Sequence, residues 1–228
     1  MSARDNILAR IRAQSGRAAA TTADEREAVR AHIAKKERGP FPSIAAGDSV
    51  QRFIAECARV KTSVDEVSSE KDVPQALASY LEQNNLKKRV VGWPSLSTLE
   101  WSDAHIEYEN RLADKDDLVG VTDCFCAIGE TGTLLLLSSP NTPKLHALLP
   151  ETHVCVVRRS RIVSTMEDAF ALLRAERAHL PDTLPRATFF VSGPSRTADI
   201  EQTIVIGAHG PYRVHVLVVG LGIEALGR

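Results

Sequence analysis

The sequence predicts an α/β fold, a mostly parallel sheet flanked by helices, with an N-terminal helical extension. Three observations carry this. Strand-like apolar runs and helix-period segments alternate along the chain. The composition, 43% hydrophobic and 25% charged, is that of an ordinary folded domain. At 228 residues the chain is long enough to bury a sizeable core without staples. Two segments are expected: a helical extension over residues 1–39 and an α/β domain over 40–228.

The elements follow in order. Residues 2–14 read as a short helix capped by Ser2, with Arg4, Ile7, Leu8 and Ile11 on one face. Thr22-Ala-Asp-Glu25 is a capping-box pattern that opens a second, mostly charged helix to about Lys36. GPFPS at 39–43 breaks it and reads as a linker. Asp48 or Ser49 then caps a helix whose Val50, Phe53, Ile54 and Cys57 fall at i, i+3, i+4 and i+7. Lys61–Val67 suits a strand. Pro74 opens a helix carrying Ala76, Leu77, Tyr80 and Leu81, and Arg89–Trp93 is a short buried strand. Residues 95–120 are charged and irregular.

From Val121 two strand segments are expected, broken near Gly129–Gly132, then a strand at His153–Val157. Ser164–Ala178 reads as a helix with a Ser164-Thr-Met-Glu167 capping box and Met166, Ala169, Phe170 and Leu173 inward. Ala187–Val191 and Arg213–Val219 complete the strands.

Charge and cysteine usage exclude several classes. The net charge is -1, so no basic field invites nucleic acid or anionic lipid. The longest apolar stretches, Leu134–Leu137 and Val216–Ile223, are too short to cross a bilayer. The opening MSARDNILARIRAQ has no signal-peptide core or cleavage site, and a cytoplasmic protein is expected. Cys57, Cys124, Cys126 and Cys155 form no paired CxxC motifs, so neither an iron–sulfur cluster nor a structural zinc is expected in this chain.

The richest stretch is SGPSRTADIEQTIVIGAHGP, Ser192–Pro211. It follows the strand ATFFV and precedes a polar segment able to start a helix. A small-residue loop there presents backbone N–H groups to an anion, and Arg196 can clamp a carboxylate or phosphate. The same residues also suit a turn with an N-cap, with Asp199 and Glu201 complementing a helix dipole. His209, between small residues in GAHGP, either satisfies a turn or meets a ligand; His215 reads as a solvent-side strand residue. Glu130, in AIGETGTLLLL, is either a carboxylate tuned by burial as base or nucleophile, or a hairpin tip in water. Cys124 and Cys126 read as small buried hydrophobes more readily than as ligands beside Asp123. Lys144 and His146 read as exposed rim residues.

Taken together, GVTDCFCAIGETGTLLLLSS, LLPETHVCVVRRSRIVSTMEDAFALL and SGPSRTADIEQTIVIGAHGPYRVHVLVV resemble the lactate-utilization protein C family, the stand-alone LUD domain. The resemblance covers most of residues 118–220. It implies a fold similar to the sugar-phosphate isomerase and CoA-transferase group. It also implies a cytoplasmic role in oxidising L-lactate to pyruvate beside two iron–sulfur partner proteins, which would hold the clusters. Carried over by position, it implies Glu130 and His209 as catalytic candidates. As binding candidates it implies Thr131, Gly132, Ser192, Gly193, Ser195, Arg196, Thr197 and Asp199, around a small carboxylate or phosphate-bearing ligand. Many family members have small residues where this chain has Asp123, Cys124, Phe125 and Cys126, which makes the two cysteines look like core fillers. The alternatives are an independent CoA-transferase- or isomerase-like enzyme using Glu130, or a module that senses a metabolite.

Overall fold

A computed structural model describes residues 2–16, 21–40, 47–179, 185–199 and 201–220. The chain divides into two units, Met1–Ser43 and Ile44–Arg228.

The first unit holds helices α1 (Ala3–Gln14) and α2 (Ala23–Lys35). Thr22 and Glu25 form the expected capping box, and the expected Ser2 cap of α1 is itself part of a box with Asp5. Neither helix buries a residue. Ile7, Ile11, Val29 and Ile33 stay exposed, so capping and helix propensity shape these segments, with no core of their own.

The second unit contains α3 (Ser49–Arg59), β1 (Ser63–Val67), α4 (Val73–Gln83), β2 (Arg89–Gly92) and β3 (Glu107–Glu109). β4 (Val119–Asp123), β5 (Cys126–Ile128), β6 (Thr133–Leu137), α5 (Leu145–Leu148), β7 (Thr152–Arg158) and β8 (Ile162–Val163) follow. α6 (Met166–Arg177), β9 (Thr188–Val191), β10 (Arg196–Thr197), β11 (Val205–Ile206) and β12 (Arg213–Val219) complete it.

Six strands form one sheet, in the order β1-β12-β7-β4-β2-β3, and every neighbouring pair is parallel. A second, mixed sheet has the order β8-β5-β6-β9. There β6 runs antiparallel to both β5 and β9, while β8 joins β5 in parallel. The expected two strand segments after Val121 are three, because the chain leaves the parallel sheet at Cys124–Phe125 and enters the second one.

Side-chain alternation makes the layers. Val154, Val156, Leu217 and Val219 pack with α4 and the Trp101 turn on one face of the large sheet. Cys155, Val157, Val214, Val216 and Val218 face the other way, against α3, Ala147 of α5 and the inner residues Ala127, Leu134 and Leu136 of the second sheet. Cys126, Ile128 and Leu135 alternate outward onto Ala169 of α6. The four leucines of Leu134–Leu137 are therefore shared between two cores. Cys126 is the core filler expected of it; the thiols of Cys126 and Cys57 are both pushed up to about 12 by burial.

The charged stretch 95–120 is ordered by a few contacts. The Trp101 and Tyr108 rings stack with centroids 4.8 Å apart. Arg111 donates two bonds of 2.7 Å to Asp117 and one of 2.6 Å to Glu109. The cap of α6 is Thr165, whose hydroxyl accepts from Asp168 N–H at 3.1 Å, and not the expected Ser164. Ser164 instead pairs its hydroxyl with Ser49 at 2.6 Å, tying the start of α6 to that of α3.

Candidate functional site

The two conspicuous motifs, ETGT and SGPSR, meet because β6 and β9 are antiparallel neighbours, with Leu134 opposite Val191. That register puts the residues just beyond the pair side by side. The hydroxyls of Thr131 and Thr133 lie 2.8 Å apart, and those of Thr133 and Ser192 2.5 Å apart. Thr133 is buried, so the chain of three hydroxyls satisfies a polar group that would otherwise be costly there.

Both motifs lean on α3. At Gly132 (φ +62°) a Cβ would lie 2.6 Å from Cys57 N. At Gly193 (φ +78°) it would lie 2.2 Å from the Val60 carbonyl oxygen. Only glycine combines the left-handed backbone with such close approach. The Arg196 guanidinium donates to the same Val60 oxygen at 2.6 Å, placing a cation at the C-terminal end of α3, where orphan carbonyls favour it.

Glu130 occupies the tip of the β5–β6 hairpin, half-buried, and its Oε1 accepts the Met166 N–H at 2.8 Å. Its own N–H donates to Ser164 O at 3.1 Å. The carboxylate thus supplies an acceptor for the first orphan N–H of α6. Neither a solvated tip nor an isolated buried acid describes it.

The segment after SGPSR does not start a helix among the described residues. Arg196–Thr197 pairs antiparallel with Val205–Ile206 as a small hairpin, and Asp199 accepts from the Thr197 hydroxyl. ATFFV is an antiparallel strand of the second sheet, so the carboxyl-end rule for open parallel sheets does not place a ligand at this loop. The loop lies by the amino ends of the large sheet: Ser195 N–H donates to Pro211 O, just ahead of β12. His209 is exposed in the bend that follows β11, and its neighbour Gly210 packs against the Ser195 side chain. Among the described residues no hydrogen bond or ion pair joins Glu130, Arg196 and His209.

Three histidines are buried, two of them against expectation. His146, expected on the rim, has Nε2 2.7 Å from Arg111 O, while Lys144 is exposed as expected. His215, expected on the solvent side, is buried because α4 covers that face of β12. Its ring stacks on Tyr80 at 3.9 Å. His153 pairs Nε2 with the Thr122 hydroxyl at 2.8 Å, and burial pushes it down to about 3.

The carboxyl ends of the parallel strands carry a second polar group that the motifs did not mark. Asp123 ends β4, half-buried and bonded to Ser95; burial pushes its carboxyl up, against the pull of Ser95 and Arg158. Arg158 ends β7 and donates to Glu70 at 2.7 Å. A polar residue closing an apolar parallel strand was the available signal. Cys124 follows Asp123, and its contact with the Cys155 thiol, with burial, pushes it well up. Among the described residues no group of three or more His, Cys, Asp or Glu is placed to hold a metal ion.

The model of the LUD domain matches residues 50–219. Lactate utilization protein C of Exiguobacterium sp. (strain ATCC BAA-1283 / AT1b) is 29% identical over 95% of each chain. That of Bacillus licheniformis is 36% identical over 56% of this chain and 53% of its own length, and the one from Bacillus subtilis is 35% identical with the same coverage. The chain spans about half the length of these two Bacillus relatives. A crystal structure of a DUF162 family protein from Deinococcus radiodurans superposes with a TM-score of 0.56 at 22% identity, covering 78% of this chain and all of that one, which shows the shared fold. The chain belongs to the LUD domain family, as its resemblance to the lactate-utilization protein C family implied.

Proposed function

We propose that this chain is a cytoplasmic component of an L-lactate utilization system, acting beside two iron–sulfur proteins in the oxidation of L-lactate to pyruvate. Its part is to bind substrate or partner, without a cluster of its own. Family membership and the names of the relatives support the pathway.

One observation carries the site. Two motifs, 59 residues apart at Thr133 and Ser192, are joined by a continuous hydroxyl seam along α3. The seam supports the SGPS backbone and Arg196 together, and beside it Glu130 meets the start of α6. In this reading Arg196, with the Ser192 and Gly193 N–H groups, holds a small carboxylate, and His209 or Glu130 handles a proton. Oxidation itself needs a redox centre, which the partner proteins supply.

The test is anaerobic L-lactate-dependent dye reduction by the two iron–sulfur partners, with and without this chain. Activity should require the chain and fall with Arg196→Ala and with Glu130→Gln. Partners that run equally well without it would remove the lactate reading. A glutamyl adduct at Glu130 after exposure to acyl-CoA would replace that reading with transferase chemistry.

A further inference from the structure

A cavity of about 390 Å³ opens at the β1–β12 edge of the large sheet, on the side covered by α4. It belongs to neither motif. Lys61, Ser63, Asp65, Tyr80, Arg213 and His215 line it. Parallel register sets Ser63 directly opposite His215, and Asp65 follows Ser63 on the same face of β1.

Two buried nitrogens there are unanswered. His215 is 1% exposed, and its Nε2 has no hydrogen-bond partner. The nearest carboxylate oxygen, Asp65 Oδ2, is 3.7 Å away, too far for a hydrogen bond. Arg213 Nη1 is likewise buried and without a partner. Leaving such groups unmade is costly, and a bound water, ion or ligand is one way to meet them. On the other side of the ring, His215 Nδ1 lies 2.9 Å from the Ser63 hydroxyl. When that hydroxyl donates, Nε2 carries the ring hydrogen and is a donor. Burial keeps the imidazole neutral by pushing it down to about 4, against the opposing pull of Asp65.

The charges set the ligand class. Lys61 and Arg213 bring two positive charges and Asp65 one negative, so the cavity carries a net charge of +1 and suits a monoanion. Among the described residues neither cation has a carboxylate within ion-pair distance. The Tyr80 ring, stacked on His215 at 13°, backs that imidazole.

We propose that this cavity binds a small organic carboxylate bearing a second oxygen on the adjacent carbon. The carboxylate sits on Arg213 and Lys61, and the hydroxyl or keto oxygen accepts from His215 Nε2. The anion site stands on the cavity alone; the choice of a 2-hydroxy or 2-oxo acid rests on the lactate reading.

Calorimetric titration of the full chain with L-lactate, pyruvate, acetate and inorganic phosphate tests this. L-lactate or pyruvate should bind at millimolar concentration or better, and more tightly than acetate. Lys61→Asn should weaken binding by about tenfold. Asparagine tolerates the left-handed backbone at Lys61 (φ 68°), which is exposed, so this variant keeps the fold. His215→Phe keeps the stack on Tyr80 and should abolish the preference over acetate. No binding by any carboxylate, phosphate alone binding, or binding indifferent to Lys61→Asn would overturn the site. Acetate binding as tightly as L-lactate would overturn the role of His215. Binding is read on the isolated chain, so it stands or falls separately from dye reduction with the partners.

Discussion

Gly193→Ala separates a loop held by α3 from one that merely follows a strand. The left-handed backbone alone costs an alanine about 1 kcal/mol or more. Its Cβ would lie 2.2 Å from the Val60 oxygen, roughly an ångström inside any tolerable contact, so loop and helix end must part. That separation also breaks the Arg196–Val60 bond, worth about 1 kcal/mol. The sum is at least about 2 kcal/mol, or a fall in Tm of roughly 4–8 °C for a domain of this size. Trp93 and Trp101 are the only tryptophans and both are buried in the second unit, so urea unfolding followed by fluorescence reads that unit directly. Gly39→Ala, with open space around its would-be Cβ, is the neutral control. A loss below about 1 kcal/mol for Gly193→Ala would refute the anchoring of SGPSR on α3.

Other expectations follow from the same contacts. Thr122→Val removes the partner of His153 Nε2 in a ring whose Nδ1 already lacks one, and should cost about 2 kcal/mol by urea unfolding. Glu130→Ala exposes an unmet N–H at the start of α6 and should cost about 1 kcal/mol, with Glu130→Gln costing less because the amide oxygen can still accept. Stability should fall as pH drops from about 6.5 towards 4. Burial holds His153 and His215 neutral with folded values of about 3 and about 4, so across that window the unfolded chain binds more protons. The loss should be several kcal/mol between neutral and about pH 4, and smaller in His215→Phe. The raised Asp123 carboxyl works the opposite way, its contribution fading as pH rises. A flat urea midpoint across the window would contradict the burial of both rings.

Much of the fold was legible because local rules wrote it. The Ser2 cap, the capping box at Thr22, the Asp48 cap of α3 and the periodicity of Val50, Phe53 and Cys57 all stand. The failures have a common cause. His215 and His146 look polar and solvent-facing along the chain, yet α4 and the 111–117 turn cover them. The cap of α6 moved from Ser164 to Thr165 because Ser164 found a hydroxyl 115 residues away. SGPSR looked like a strand-to-helix cradle because nothing local reveals that its strand pairs antiparallel with Leu134–Leu137.

The sequence by itself determined the α/β class, the main helices with the caps of α1, α2 and α3, the family, and the residue types able to handle an anion. Those are short-range properties, set by side-chain period, backbone freedom and motif spelling. Only the tertiary structure decided that the described strands form two main sheets beside the small β10–β11 hairpin, that Glu130 caps α6, that Arg196 grips the end of α3, and that His215 and Arg213 share a cavity with Lys61. Each of these depends on which strands pair and in what register. Register is a long-range choice, fixed by the packing of whole layers and not by any segment alone.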